Sequence, residues 1–202
     1  MKIISTMFLF SLILIFTHSI VLSQTKEDIF NELKASYSNL SKISFSFQSM
    51  ENKSYQGHLT ATKDGKYKLI LPDKIIISDG KTNWNYTVRD KVVVISNVSN
   101  QNNSLQTIFF NIINNFYPTE LKETLSSKKG KVLQLSLQSK NNKDEKLVLF
   151  LNNKNLKIQQ IVFNYNNSIG NYTISQLTLN PQLDNSEFSF NVPKGVEEID
   201  LR

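Results

Sequence analysis

The stretch IIISDGKTNWNY, residues 75–86, decides how this chain folds. Two apolar, alternating runs flank Asp79-Gly80, a dipeptide that suits a tight hairpin turn because glycine tolerates the positive φ that such turns require. Trp84, the single tryptophan of the chain, lies on the returning strand. The stretch holds neither a nucleophile–base pair nor metal-ligand spacing. It therefore indicates structural apolar surface and not catalytic chemistry.

Short runs with the same alternation surround this hairpin on both sides. Asp64-Gly65 marks a second turn, and an asparagine-rich break at 100–103 separates two groups of runs. Strands this short and this regularly spaced are typical of an antiparallel meander. The predicted strands cover residues 43–48, 57–62, 67–71, the two arms of the 75–86 hairpin, 92–95, 132–138, 146–151, 158–165 and 171–179.

Two segments replace the strand pattern with helical spacing. Residues 26–40 place apolar side chains on one face, and Thr25 is positioned to cap that helix. From Ser104 to Phe116 bulky apolar residues recur at helical intervals, and Pro118 ends the run. A long antiparallel sheet normally curls, and two apolar helix stripes must be buried. We therefore expect a mainly β fold, a half-open antiparallel β-barrel whose concave face is covered by a helical lid.

The N-terminal residues have the pattern of an export signal. A short positive start precedes residues 7–15, which are almost wholly apolar. A membrane anchor is the alternative, but a membrane span needs about 20 apolar residues and this run is shorter. We predict a signal peptide over residues 1–23, cleavage near Ser23/Gln24, and one domain over residues 24–202.

Composition excludes several classes of function. The chain contains no cysteine, which rules out disulfides, a structural thiolate metal site and lipidation at an N-terminal cysteine. The formal net charge is +6, but the lysines are scattered and arginine is scarce. Nucleic-acid binding requires a dense basic stripe, which this sequence lacks. The charge indicates a solubilising surface, with weak attraction to lipid headgroups or to an acidic partner.

With these elements in place, the chain resembles a known family, the periplasmic outer-membrane lipoprotein carrier proteins (LolA). The resemblance rests on the order of elements, on Ser78-Asp-Gly-Lys-Thr-x-Trp84-x-Tyr86, and on a terminal Phe188-x-Phe190-x-x-Pro-x-Gly-Val. It extends over essentially the whole mature chain. The hairpin motif is fairly specific, whereas the terminal motif is supporting only.

The resemblance implies a function without a cofactor. Such a protein would take acylated lipoproteins from an inner-membrane ABC transporter, hold their acyl chains in a hydrophobic cavity, and pass them to an outer-membrane receptor. It would be a periplasmic monomer that binds no nucleic acid and no metal, and it would not be an enzyme. A second hypothesis is an envelope sensor or regulatory module that uses the same fold to bind a lipid or a partner protein.

The bulky apolar residues have two interpretations. From the residues alone, a plain filled core is the more economical reading. The resemblance implies instead that the same side chains line an acyl cavity. The residues predicted to line it are Phe45, Phe47, Leu59, Tyr67, Leu69, Trp84, Phe109, Ile112, Phe116 and Phe163.

One position departs from the family pattern. The family carries an arginine on the strand before the hairpin, where it helps to hold the lid closed, and the matching residue here is Lys63. Lysine offers a point charge and lacks the planar donor fork of arginine. Lys63 is therefore a candidate latch whose equivalence to the family arginine is open.

Catalytic groups are sparse. His58 and His18 are the two histidines, and His18 would leave with the signal peptide. The carboxylates, including Asp79, fall in turns or near the terminus, where solvation explains them better than acid–base chemistry. An enzyme acting on lipid or glycan is a third hypothesis, and the lack of a nucleophile–base–orienter set disfavours it.

Overall fold

A computed structural model describes residues 24–98, 105–126, 130–165 and 168–202. The predicted signal segment, residues 1–23, and the break at 100–103 lie outside the described residues. The elements, in chain order, are α1 Lys26–Tyr37, β1 Lys42–Ser49, β2 Gln56–Thr62, β3 Tyr67–Ile70, β4 Lys74–Ser78, β5 Thr82–Thr87, β6 Val92–Asn97, α2 Leu105–Asn115, β7 Phe116–Ser126, β8 Gly130–Ser139, β9 Lys146–Asn152, β10 Ile158–Tyr165, β11 Ser168–Leu179, a 3₁₀ turn Asn185–Phe188 and β12 Glu197–Asp200.

The twelve strands form one curled, open sheet in the order β12-β6-β5-β4-β3-β2-β1-β11-β10-β9-β8-β7. Neighbouring strands pair antiparallel, except that β12 runs parallel to β6. Two meanders, β1–β6 and β7–β11, are joined through the β1–β11 pair. The predicted mainly β architecture with two helices is therefore confirmed.

The opening hairpin forms as predicted. β4 pairs with β5 from Lys74↔Thr87 to Ser78↔Asn83. Gly80 turns the chain at φ +92°, a conformation that favours glycine. The Asp79 carboxylate accepts the backbone N–H of Lys81 at 2.8 Å and that of Thr82 at 2.7 Å, and the Thr82 bond is the main reason that the pKa of Asp79 is lowered. Asp79 is thus a turn residue.

Helix α1 begins with a capping box. The Thr25 hydroxyl accepts the backbone N–H of Asp28, and the Asp28 carboxylate accepts the backbone N–H of Thr25. The helix ends at Tyr37, three residues before the predicted end at Leu40. Its apolar stripe, Ile29, Phe30, Leu33 and Tyr37, is buried.

Two strands differ from the sequence-based expectation. The second helix ends at Asn115, and Phe116 opens the eleven-residue strand β7 at one edge of the sheet. Pro118 lies within this strand, as an edge position allows for a residue that has no N–H to donate. At the other edge, Glu197–Asp200 adds the parallel strand β12.

Candidate functional site

One face of the sheet carries most of the bulky apolar residues, because the strand register aligns them. Phe45 on β1 lies opposite Leu59 on β2, and Leu59 lies opposite Leu69 on β3. β1 also pairs with β11, where Phe47 lies opposite Ile174. Residues directly opposite on paired strands project to the same side. We call this side the concave face.

The two helices, here called the lid, cover the concave face. The Phe109 ring of α2 lies 4.7 Å from the Phe45 ring, measured between centroids, and Phe109 is 1% exposed. Ile29 and Leu33 of α1 belong to the same buried cluster as these rings. Lid and sheet side chains thus share one hydrophobic cluster in this state.

The structure brings most of the predicted cavity residues together. Phe45, Phe47, Leu59, Phe109, Phe116 and Phe163 are members of this buried cluster, and Tyr67 and Leu69 pack against it half-buried. Phe116 reaches the cluster from β7, where its ring lies 5.5 Å from that of Tyr165. Ile112 lies in α2, and its side chain is outside the described part of the structure.

Trp84 does not share this face. It lies opposite Ile77 on β4 and Ile95 on β6, whereas its neighbour Asn85 lies opposite Ile76, the residue that faces Leu69. Alternation along β5 therefore places Trp84 on the other side of the sheet, the convex face. The expectation that Trp84 lines the same surface as Phe45 is corrected by this register.

The C-terminal segment covers the convex face around Trp84. The Phe190 ring lies 5.7 Å from the Tyr86 ring, and the Glu187 carboxylate pairs with the Lys68 ammonium at 3.2 Å. Val93, on the same face, is fully buried. This second apolar layer is separate from the cluster under the lid.

Two rings that sequence reasoning missed, Tyr55 and Tyr172, join the predicted Phe47 and Phe163 at one end of the concave face. Tyr55 lies 5.8 Å from Phe47 and 6.3 Å from Tyr172, and Tyr172 stacks on Phe163 at 6.0 Å. We call these four rings the mouth. Gly170 is required beneath them, because a Cβ there would come within 2.5 Å of the Phe163 ring. Alternation of Tyr172 with Ile174 could have indicated one of the missed rings, whereas Tyr55 follows a polar turn that carries no periodic signal.

Comparison with known proteins now adds to this geometry. The family model of the outer membrane lipoprotein carrier protein LolA matches residues 38–191, well over half of the chain. The chain belongs to the LolA family. None of the curated proteins compared with the sequence matches it.

Several solved structures are similar to this chain at low sequence identity. An uncharacterized conserved protein from Thermus thermophilus is 11% identical at a TM-score of 0.50, with 88% of this chain and 99% of that chain covered. A LolA superfamily protein from Nitrosomonas europaea is 11% identical at a TM-score of 0.36, with 83% of this chain and 99% of that chain covered. A chain of the Pseudomonas aeruginosa MucA/MucB complex is 11% identical at a TM-score of 0.36, with 82% of this chain and 61% of that chain covered.

Lys63, the residue predicted to match the family arginine, lies beside a cleft in the sheet. Its side chain lines a cleft of about 290 Å³ together with Lys42, Asp184 and Phe188. In the described residues its ammonium has no hydrogen-bonding or ion-pair partner. The structure therefore gives this LolA family member no bonded latch at Lys63, and the latch stays a prediction.

His58 holds three strands together on the convex face. Its Nε2 lies 2.9 Å from the Ser44 Oγ and its Nδ1 lies 3.0 Å from the Ser46 Oγ. Ser46 donates to the Gln176 side-chain oxygen at 2.7 Å, so its Oγ accepts from Nδ1–H, and Nε2 accepts from Ser44. A hydrolase would have a carboxylate bonded to Nδ1, a position that Ser46 takes here. We interpret the network as a structural link between β1, β2 and β11.

Other chemistry finds no support in the described ranges. They hold no group of three His, Cys, Asp or Glu side chains placed to bind a metal ion. No helix within them combines the length and the apolar character that a membrane span requires. The family model that matches this chain is that of a lipoprotein carrier protein.

Proposed function

We propose that this LolA family member is a soluble periplasmic carrier that binds the acyl chains of lipoproteins between the lid and the concave face. One observation carries the proposal: the Phe109 ring of the lid packs against the Phe45 ring of the sheet, with 4.7 Å between the ring centroids. The lid therefore covers the concave face through side-chain contacts. An acyl chain offers the same apolar contact. It can therefore replace the lid side chains on the concave face.

The energetics favour exchange over permanent binding. Each acyl methylene removed from water contributes about 0.8 kcal/mol. Displacing the lid exposes its own apolar stripe, including the buried Phe30 and Phe109, and this cost opposes the gain. The difference between the two terms sets the affinity. A carrier needs such a balance, because it must release its cargo as well as bind it.

Membership of the LolA family supports a proposal for the partners. We propose that an inner-membrane lipoprotein-releasing ABC transporter loads the protein, and that an outer-membrane receptor or the outer membrane itself unloads it. The exported chain would begin at Gln24, which N-terminal sequencing of the periplasmic protein can check. The apolar character of the concave face supports a mechanism that needs no cofactor.

Binding of a fluorescent fatty-acyl probe tests the proposal. The purified mature protein should bind the probe and should form a soluble complex with an acylated lipoprotein. Phe109→Glu should weaken probe binding about tenfold or more, because it places a carboxylate against the acyl chain. The matched control is Phe190→Glu, the same change in the convex cover, which should leave the affinity of the folded protein unchanged. A folded protein that binds no acyl probe would refute the proposal.

A further inference from the structure

The exposed apolar side chains of the described residues are unevenly distributed. Of the large hydrophobic residues with high exposure, six lie at the end of the sheet where the mouth opens, on turns or strand ends. They are Met50, Tyr55, Ile70, Val88, Tyr117 and Ile169. The strand register supports a shared end, since Ser49↔Tyr172 and Phe116↔Ser139 pair there. One end of the half-barrel therefore carries most of these exposed apolar side chains.

Three of these residues lie on the two adjacent hairpins that flank the mouth, and we call them the mouth rim. Met50, 48% exposed, donates its backbone N–H to the Asn171 carbonyl at 2.8 Å, which joins the β1–β2 turn to β11. Ile169, 75% exposed, lies two residues away on β11. Tyr55, 42% exposed, reaches over the mouth from the same turn as Met50. Exposed apolar side chains grouped on adjacent hairpins are typical of an interaction surface.

A continuous path of rings leads inward from the mouth rim. Tyr55 contacts Phe47, Phe47 lies 6.4 Å from Phe45, and Phe45 contacts Phe109 of the lid. The exposed end of the path is thus connected, ring by ring, to the surface where the proposed function places acyl chains. An acyl chain that followed this path would never cross bulk water if the rim touched the membrane it left.

We propose that the mouth rim docks shallowly into the interface of a lipid bilayer. This inference rests on the proposed function and adds that the protein meets the lipid surface itself. Isoleucine and methionine beside hairpin turns can enter the acyl boundary, while the Tyr55 phenol suits the headgroup level. Glu51 and Lys53, in the same turn, cancel in charge. Apolar burial at these two hairpins is therefore the proposed source of the binding energy, and docking should tolerate both salt and zwitterionic lipid.

A single-cysteine label tests the docking, because the chain has no native cysteine. Ile169→Cys carrying a polarity-sensitive fluorophore should shift to the blue when phosphatidylcholine or mixed phosphatidylethanolamine–phosphatidylglycerol vesicles are added. The control is Leu201→Cys, a site 67% exposed but at the β12 edge, whose label should stay in water. A label at 169 that stays in water with both kinds of vesicle would overturn the proposal, as would equal shifts at both sites.

Two substitutions separate this proposal from the proposed function. Met50→Asp combined with Ile169→Asp should reduce co-flotation with vesicles about tenfold, and acyl-probe affinity measured without vesicles should stay within about twofold. Leu201→Asp should change neither quantity. Probe binding without vesicle docking of the wild-type protein would refute the docking alone. Docking without probe binding would refute the carrier proposal and leave the docking in place.

Discussion

The two faces of the sheet are both apolar, but their covers are attached in different ways. The lid is held to the concave face by side-chain packing and by polar bonds such as that from the Lys26 ammonium to the Thr119 carbonyl, 3.1 Å. The C-terminal segment on the convex side is held by main-chain pairing of β12 with β6 and by the Lys68–Glu187 ion pair. Main-chain pairing makes the second cover part of the sheet.

The difference indicates which cover can be exchanged. Moving the C-terminal segment away would break the β12–β6 ladder, whereas moving α1 and α2 away leaves every strand pair of the sheet intact. Both movements expose apolar surface, but only the first also removes sheet hydrogen bonds. The concave face is therefore the place where a bound acyl chain can substitute for the protein's own side chains.

The largest effect is expected from truncating the concave wall itself. Phe45→Ala removes a fully buried ring that contacts both Phe47 and Phe109. It should lower the free energy of unfolding by about 3–5 kcal/mol, measured by urea denaturation, because a cavity remains. It should also weaken acyl-probe binding. A loss below about 1 kcal/mol would mean that the lid collapses onto the wall and would contradict the packing described.

A smaller effect is expected on the convex face. Trp84→Ala should cost about 2–3 kcal/mol of unfolding free energy, because Trp84 is only half-buried beside Ile77 and Ile95. At temperatures where the variant is folded, its acyl-probe affinity should equal that of the wild-type protein. A tenfold or greater loss of affinity would place Trp84 in the binding site and would remove the distinction between the faces.

The smallest effect concerns His58 and pH. Burial lowers the pKa of His58 below its ordinary 6.5; Glu187 opposes this shift and Lys68 adds to it. Above pH 6.5 the histidine is neutral in the folded and unfolded chains, so its contribution to stability is complete. As the pH falls from there towards the lower folded pKa, the unfolded chain binds the proton first and stability decreases.

His58→Gln isolates this contribution. Glutamine keeps a hydrogen-bonding side chain but does not titrate, so the variant should lose less stability than the wild-type protein between about pH 7 and pH 5. Urea denaturation at the two pH values measures the difference. Equal losses in the two proteins would show that the Ser44–His58–Ser46 network does not hold the histidine in its neutral form.

Much of the fold follows from periodicity in the sequence. The meander and both helices are predicted correctly because alternation and helical spacing are strong there. β7 was missed because Phe116 also fits the helical stripe of α2 at the next expected interval, and Pro118 resembles a helix stop. β12 was missed because Glu197–Asp200 is mostly polar and shows no apolar alternation. Main-chain pairing with β6 holds it in the sheet.

The side-chain directions of the opening hairpin were harder to predict. Ile75, Ile76 and Ile77 are consecutive, so period two cannot tell which face they address. Only the unbroken register from β1 through β3 shows that Ile76 faces the lid while Ile77 and Trp84 do not. The mouth, likewise, depends on a contact between Tyr55 and Tyr172, which are far apart in sequence.

Hydrogen exchange, followed by mass spectrometry with and without the acyl probe, tests the exchangeable lid most directly. We predict that amides of α1 and α2 exchange through a local opening, while those of the central strands β1 and β11 exchange only on global unfolding. Adding the acyl probe should speed exchange in the lid and leave β1 and β11 unchanged. Lid protection that equals that of β1 and does not respond to a bound acyl probe would contradict an exchangeable lid.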